Sequence, residues 1–237
     1  MNKIVQSILD KGPVVAPLAG YTDIAFRRLL KDYGAGLTFT EMVSVAALTF
    51  KNIKTKKMLQ IAPNEGGIDS PVGVQLFGND PEQFYEVVKN TDQLDAFDII
   101  DVNMGCPVKK VVSNGCGAGL MKDPMRAVAI VKALKSATNK PISVKTRLGY
   151  IEGIPTIIDF AQMLEDAGAD MLTIHGRYST QLYRGHADYT LIEKVSSILN
   201  IPVLGNGDIL SYNDAQNKMH QHGLSGTMIG RGFIYNP

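Results

Sequence analysis

Eight short apolar, β-branched runs recur along this 237-residue chain, spaced about one βαβ unit (roughly 30 residues) apart. They fall at residues 14–17, 37–41, 72–76, 99–102, 142–146, 171–175, 203–205 and 227–229. Longer stretches with helical periodicity separate them. Residues 24–33 follow the N-cap pair Thr22-Asp23, and residues 82–89 and 125–137 follow Asp80-Pro81 and Asp123-Pro124, with proline at the first helical position. Residues 156–167 end at Gly168, a C-cap glycine, and residues 189–199 and 212–222 complete the set. The segment 49–60 reads as helical only in part. Such alternation has two solutions, a doubly wound open sheet or a closed α/β barrel. Polar residues at the strand C-termini (Glu41, Gln75, Asn103, Lys145, His175, Asn206) favour a TIM (β/α)8 barrel, which gathers all strand ends on one face.

Side chains alternate along a strand, so parity assigns faces. In Ile142-Ser143-Val144-Lys145-Thr146-Arg147, Ser143, Lys145 and Arg147 share the inward face, while Ile142 and Val144 face the helices. The same parity turns Gln75, Asp101, Asn103, Thr173 and His175 inward. Two inward cations near a mouth call for an anion or electron-rich partner, because an unpaired buried charge is costly. The bland alternative is an internal salt bridge to Glu41 or Asp101. Gly205-Asn206-Gly207-Asp208 and Ile229-Gly230-Arg231-Gly232 follow the last two strands, where barrels of this kind bind phosphate. Glycine lets backbone N–H groups approach an anion, and Arg231 adds a bidentate donor.

Composition narrows the field further. A formal net charge of +1 rules out a global basic field, so a polyanionic partner requires local patches. Cys106 and Cys116 are the two cysteines; they form no disulfide framework or zinc motif and fit a reducing cytoplasm. The N-terminal segment is too short and polar for a signal peptide, and no apolar run reaches the roughly 18 residues of a membrane helix.

The ordered motifs Ala16-Pro17-Leu18-Ala19-Gly20-Tyr21-Thr22-Asp23, Thr40-Glu41-Met42-Val43, Asn103-Met104-Gly105-Cys106-Pro107, Lys145-Thr146-Arg147, His175-Gly176-Arg177, Asn206-Gly207-Asp208 and Gly230-Arg231 resemble the tRNA-dihydrouridine synthases. Asn-Met-Gly-Cys-Pro-Val-Lys-Lys-Val is most similar to the bacterial B type. The resemblance spans nearly the whole chain. It implies residues 1–237 are one FMN-binding catalytic barrel, with the family's C-terminal helical tRNA-binding domain absent from this chain. It implies FMN as cofactor, NADPH as reductant and tRNA as substrate, with no metal and no membrane. It further implies that Cys106 is the proton donor. Pro17, Leu18, Ala19, Gln75, Lys145, His175, Asn206, Gly207, Asp208, Gly230 and Arg231 would bind the cofactor. Asn103 and Arg147 would meet the substrate base.

A thiol suits the implied chemistry. Reducing uracil's 5,6-double bond needs a hydride at C6 and a proton at C5. An unperturbed thiol, with a pKa near ~8.5, is protonated at neutral pH yet acidic enough to donate. Phosphate contacts would come from Lys109 and Lys110 beside Cys106, from Arg177 and Arg184, or from the lysines of KNIKTKK at residues 51–57. Tyr178 and Tyr183 are candidates for stacking on a flipped base. The rival readings are a dihydroorotate or dihydropyrimidine dehydrogenase, expected to act on a free base, and a non-catalytic tRNA-binding barrel, expected to be colourless.

Overall fold

The computed structural model describes residues 3–67 and 70–235. Eight parallel strands follow one another around a single sheet in the order β1-β8-β7-β6-β5-β4-β3-β2. They are β1 (Val14–Val15), β2 (Thr38–Ser44), β3 (Val72–Phe77), β4 (Ile99–Asn103), β5 (Ile142–Arg147), β6 (Met171–His175), β7 (Val203–Asn206) and β8 (Gly226–Ile229). A parallel bridge between Val14 and Leu37, with Val15 N–H donating to Leu37 O at 2.8 Å, closes the ring between β1 and β2. The fold is therefore a TIM barrel, its sheet joined at this seam by the one bridge among the described residues.

Local sequence sets the helices. α1 (Lys3–Leu9) precedes the barrel; α2 (Ile24–Asp32) is capped by Asp23, whose carboxylate accepts from Phe26 N–H at 2.9 Å. α4 (Ile53–Lys57) is the helical part of the 49–60 segment, and α3 (Val45–Thr49), which that reading does not anticipate, ends where the segment begins. α5 (Pro81–Asn90) starts at the Asp80 cap, α6 (Lys109–Val112) follows the β4 loop, and α7 (Pro124–Ala137) starts at the Asp123 cap. α8 (Ile157–Asp166), α9 (Tyr189–Ile198), α10 (Tyr212–Gln221) and α11 (Gly232–Tyr235) complete the set. Gly168 sits past the end of α8 at φ +103°, where its N–H and that of Ala169 satisfy carbonyls of the last helical turn.

The apolar groups divide into an outer and an inner core. Outward strand residues such as Val74, Ile100, Ile142, Val144 and Ile174 pack with Phe84, Ile130, Leu134, Phe160 and Ile192 of the helices. Each such fully buried side chain contributes about 1.5–3 kcal/mol. Inside the barrel, Val14, Phe39, Ile99, Met171 and Leu204 form a lower plug that Val5 and Ile8 of α1 seal from below. Gly73 makes room for it: a Cβ there would lie within 2.4 Å of the Phe39 ring. The long return from α4 to β3 is pinned by the buried Arg27, which pairs with Glu65 at 3.0 Å and donates to Gln60 O at 2.8 Å.

Candidate active site at the barrel mouth

Above the apolar plug the inward residues become polar. Asp101, fully buried, accepts from Ser143 Oγ at 2.6 Å and from Gln75 Nε2 at 2.7 Å. Burial pushes its carboxyl up to about 6, against the hydrogen bonds from Ser143 and Gln75 and the charge of Lys145. Gln75 Oε1 accepts from Asn103 Nδ2 at 2.9 Å, and Asn103 Oδ1 accepts the N–H groups of Gly105 (3.2 Å) and Cys106 (2.9 Å). A register shift in β2 between Phe39 and Met42 leaves Thr40 Oγ1 to accept the Gln75 N–H at 3.2 Å.

Cys106 stands half-buried on the loop that leaves β4, as the strand order requires. Its carbonyl accepts from Ala118 N–H at 3.0 Å. Gly117, at φ +57°, lies directly behind it; a Cβ there would meet Cys106 O at 2.8 Å and Cys106 Cβ at 3.1 Å. Cys116 is buried beside this contact, donates to Asn114 O at 3.5 Å, and has its thiol pKa raised by burial, which suits a filler rather than a reactive group.

Lys145 points into the mouth and donates to Asn206 Oδ1 at 3.0 Å. Burial first, then the nearby Arg147, push its ammonium down to about 8. Asn206 is held by donating to Met228 O at 2.7 Å. His175 lies in the same ring of strand ends. Burial and the surrounding Lys145, Arg147, Arg177 and Arg231 hold it well below the usual histidine range, so it is neutral at neutral pH. Arg177 Nη1 faces His175 Nε2 at 3.4 Å. A guanidinium only donates, so Nε2 accepts and the ring proton resides on Nδ1.

The closing turns meet at this rim. Gly207 has φ +115° and Asp208 φ +50°, and a Cβ on Gly207 would come within 2.9 Å of both Ala187 Cβ and the His175 ring. Gly230 is beside Leu18, so the β8 exit and the Pro17-Leu18-Ala19 exit of β1 are neighbours. The Glu41 carboxylate accepts the Gly20 N–H from the same β1 loop. Exposed Arg231 stacks over Tyr183 at 4.7 Å from the ring centroid.

Several sequence expectations change here. Arg147 is 3% exposed and donates to Gly105 O (2.8 Å), Tyr178 O (3.0 Å) and Leu182 O (3.0 Å). Through Nε and Nη1 it ties the Cys106 loop to the β6 loop. Arg177 is 2% exposed; its Nη2 meets both Asp208 carboxylate oxygens (2.8 and 2.9 Å) and Gly185 O, its Nε donates to Arg184 O, and the guanidinium is turned into the protein. The Asp208 carboxylate is engaged in this pair and accepts the Ala187 N–H at 2.7 Å; despite the opposing effect of burial, these partners hold it below the usual carboxylate range. Tyr178 is partly buried against the outer core, whereas Tyr183 is 58% exposed. The KNIKTKK lysines lie on the outer wall, where Lys51 and Lys56 line a cleft of about 540 Å³ with Glu86 and Asp92 at the far end of α5. Lys109 and Lys110 are exposed on α6, directly after Cys106. The carboxylates Asp101 and Glu41 make neither of the internal salt bridges weighed for Lys145 and Arg147 among the described pairs.

The fold and this mouth define a parallel barrel with a cationic, thiol-bearing opening. The dihydrouridine synthase (Dus) family model matches residues 14–237, and the chain belongs to that family. It is 41% identical over 224 residues to a probable tRNA-dihydrouridine synthase 1 of Synechocystis sp., covering 94% of this chain and 61% of that protein. It is 37% identical over 237 residues to a probable tRNA-dihydrouridine synthase of Rickettsia conorii (100% and 70%) and 38% identical over 229 residues to tRNA-dihydrouridine synthase B of Vibrio cholerae (97% and 70%). The chain thus spans about 60–70% of the length of these relatives. Among solved structures, a histamine dehydrogenase from Rhizobium sp. 4-9 superposes with a TM-score of 0.67 at 16% identity, over 92% of this chain and 43% of that one. A mandelate oxidase mutant gives 0.60 at 18%, over 92% and 64%. These two share the fold.

Proposed function

We propose that residues 1–237 form the catalytic barrel of an FMN-dependent tRNA-dihydrouridine synthase that uses NADPH, acting in the cytoplasm. The observation that carries the reading is the placement of the Cys106 loop beside cations without a carboxylate partner. Lys145 and Arg231 have no ion pair among the described residues, while Asp208 is matched by Arg177. This positive excess, together with the open space beside the Gly230 backbone, fits a phosphate-bearing anionic cofactor. Pro17, Leu18, Ala19, Asn206, Gly207, the Asp208 backbone, Gly230 and Arg231 would hold FMN. Gln75, Lys145 and His175 would border its ring. When bound, FMN supplies the hydride for uracil C6, with NADPH as its reductant.

The chain's own residues supply the rest. Cys106 holds the proton on Sγ and delivers it to C5, completing reduction of the double bond; its thiolate is reprotonated from solvent. Negative charge builds on the base before that proton arrives, and the neutral His175 Nδ1–H and the Lys145 ammonium are the donors that favour it. Asn103 holds the Cys106 loop through its Oδ1, and Arg147 holds the same loop through Gly105 O. Tyr183, under Arg231, offers an exposed face to a flipped base, and Lys109 and Lys110 offer phosphate contacts next to the thiol.

The test combines purified protein, FMN, NADPH and tRNA lacking dihydrouridine, with mass mapping of the product. The expected result is a flavin-coloured protein that forms dihydrouridine at defined positions and leaves free uracil and orotate untouched. Turnover of free orotate or uracil, or a colourless protein that binds tRNA and takes up no FMN, overturns the reading in favour of a rival.

A further inference from the structure

We infer that Asp101 is a positioning residue: it terminates a one-way chain of side-chain hydrogen bonds, through Gln75 and Asn103, that holds the Cys106 loop in place from inside the barrel. The chain has a forced direction. The backbone N–H groups of Gly105 and Cys106 can only donate, so Asn103 must turn Oδ1 toward them. Its Nδ2 then faces Gln75, which must answer with Oε1. Gln75 is left with Nε2 toward residue 101, so that residue must accept, and an ionised carboxylate accepts without ambiguity. Ser143 Oγ donates to the second Asp101 oxygen and completes the terminus. Gln75, Asp101 and Asn103 are 1%, 0% and 8% exposed, so water offers little replacement for a mismatched partner.

The geometry also explains why three strands are needed to hold one loop. Asp101 and Asn103 lie two residues apart on β4 and share its inner face, Gln75 comes from β3, and Ser143 from β5. The polar layer under the mouth thus carries a direction, set by its fixed donors at the Cys106 end and its fixed acceptor at the Asp101 end.

The inference rests on the proposed role of Cys106 only for what the loop carries. Its test needs neither cofactor nor tRNA, so its failure and that of the uridine-reduction reading are separate results. The readout is hydrogen exchange of the Gly105 and Cys106 amides in the purified chain, at slightly alkaline pH. Asn103→Asp keeps the shape but makes both ends of the chain acceptors. Gln75 then satisfies one carboxylate and opposes the other, and exchange of the two amides rises about tenfold, as expected when one buried hydrogen bond is lost. Asp101→Asn alone has a small effect, because Ser143 Oγ can accept as well as donate. Asp101→Asn added to Asn103→Asp swaps the two chemistries along β4. The amide introduced at position 101 donates to Gln75 Oε1, and Gln75 Nε2 donates to the carboxylate introduced at position 103. Protection therefore returns to within about threefold of the native chain, although a second residue has been changed. Additive loss in the double variant, or native protection in Asn103→Asp alone, overturns the inference. If Asn103→Asp fails to fold, the double variant decides alone: a folded protein with protected amides supports the chain of bonds, and an unfolded one overturns it.

Discussion

The lower and upper halves of the barrel interior are built from the same strands with the same inward parity, yet they differ in kind. On β4 the inward series reads Ile99, Asp101, Asn103; on β6 it reads Met171, Thr173, His175; on β7, Leu204 then Asn206. Each of these three strands begins apolar and ends polar. The lower layer joins α1 in a dry plug, and the upper layer is a hydrogen-bonded, cationic mouth. Apolar packing is concentrated in one and charged, hydrogen-bonded groups in the other, with the Asp101 layer as the junction.

That contrast is open to direct attack. The largest expected effect is at the mouth: Cys106→Ala should lower kcat for dihydrouridine formation by about 10²–10⁴, the range for losing a positioned acid, with an unchanged melting curve. A drop below about tenfold would break the assignment of chemistry to this rim. At the other end, Phe39→Ala should remove about 3–5 kcal/mol of stability in urea titration. The folded fraction should keep its native kcat; a large loss of kcat without loss of stability would erase the distinction between the halves.

Lys145→Met sharpens the comparison through pH. Lys145 is held at about 8, below the ordinary 10.5, so FMN affinity should fall as pH rises through about 8 in the native protein. The variant should bind about tenfold more weakly at neutral pH, as for loss of one charge-assisted contact, and show no such inflection. The sign for folding is opposite. Burial disfavours the charged form, so stability of the cofactor-free protein rises between about pH 8 and 10.5 as the folded and then the unfolded state lose the proton. Lys31, also pushed by burial to about 8, contributes with the same sign, so the Lys145 share is the difference between native and variant. The smallest effect is expected at Lys109→Ala and Lys110→Ala. Each should lower kcat/KM a few-fold and reduce the salt dependence of tRNA binding by about one unit of slope, without changing kcat.

Much of this architecture could be read before any coordinates. The aspartate–proline pairs at 80–81 and 123–124 mark helix starts to the residue, because a cap is a local hydrogen bond with a local sequence requirement. The stretch 45–60 is less legible because its two helices of five residues are too short to show a period. Lysines of the same segment suggest a nucleic-acid patch, but the helices run down the outer wall away from the mouth. Gly117 gives little warning of its role, although the glycine density of Asn114-Gly115-Cys116-Gly117-Ala118-Gly119 is a usable signal; its reason is a contact with Cys106, eleven residues away.

By itself the sequence determined the number of strands, the face each side chain takes and the end of the barrel where polar groups gather, because these follow from periodicity along one chain. Only the tertiary structure decided which charges are free. Lys145, Arg147, Arg177 and Arg231 look alike in sequence. Arg147 and Arg177 are committed to carbonyls and a carboxylate on loops up to 42 residues away, while Lys145 and Arg231 keep their charge at the opening. A residue's type fixes how many hydrogen bonds it can make; the closed ring of strands fixes which partners are near enough to make them.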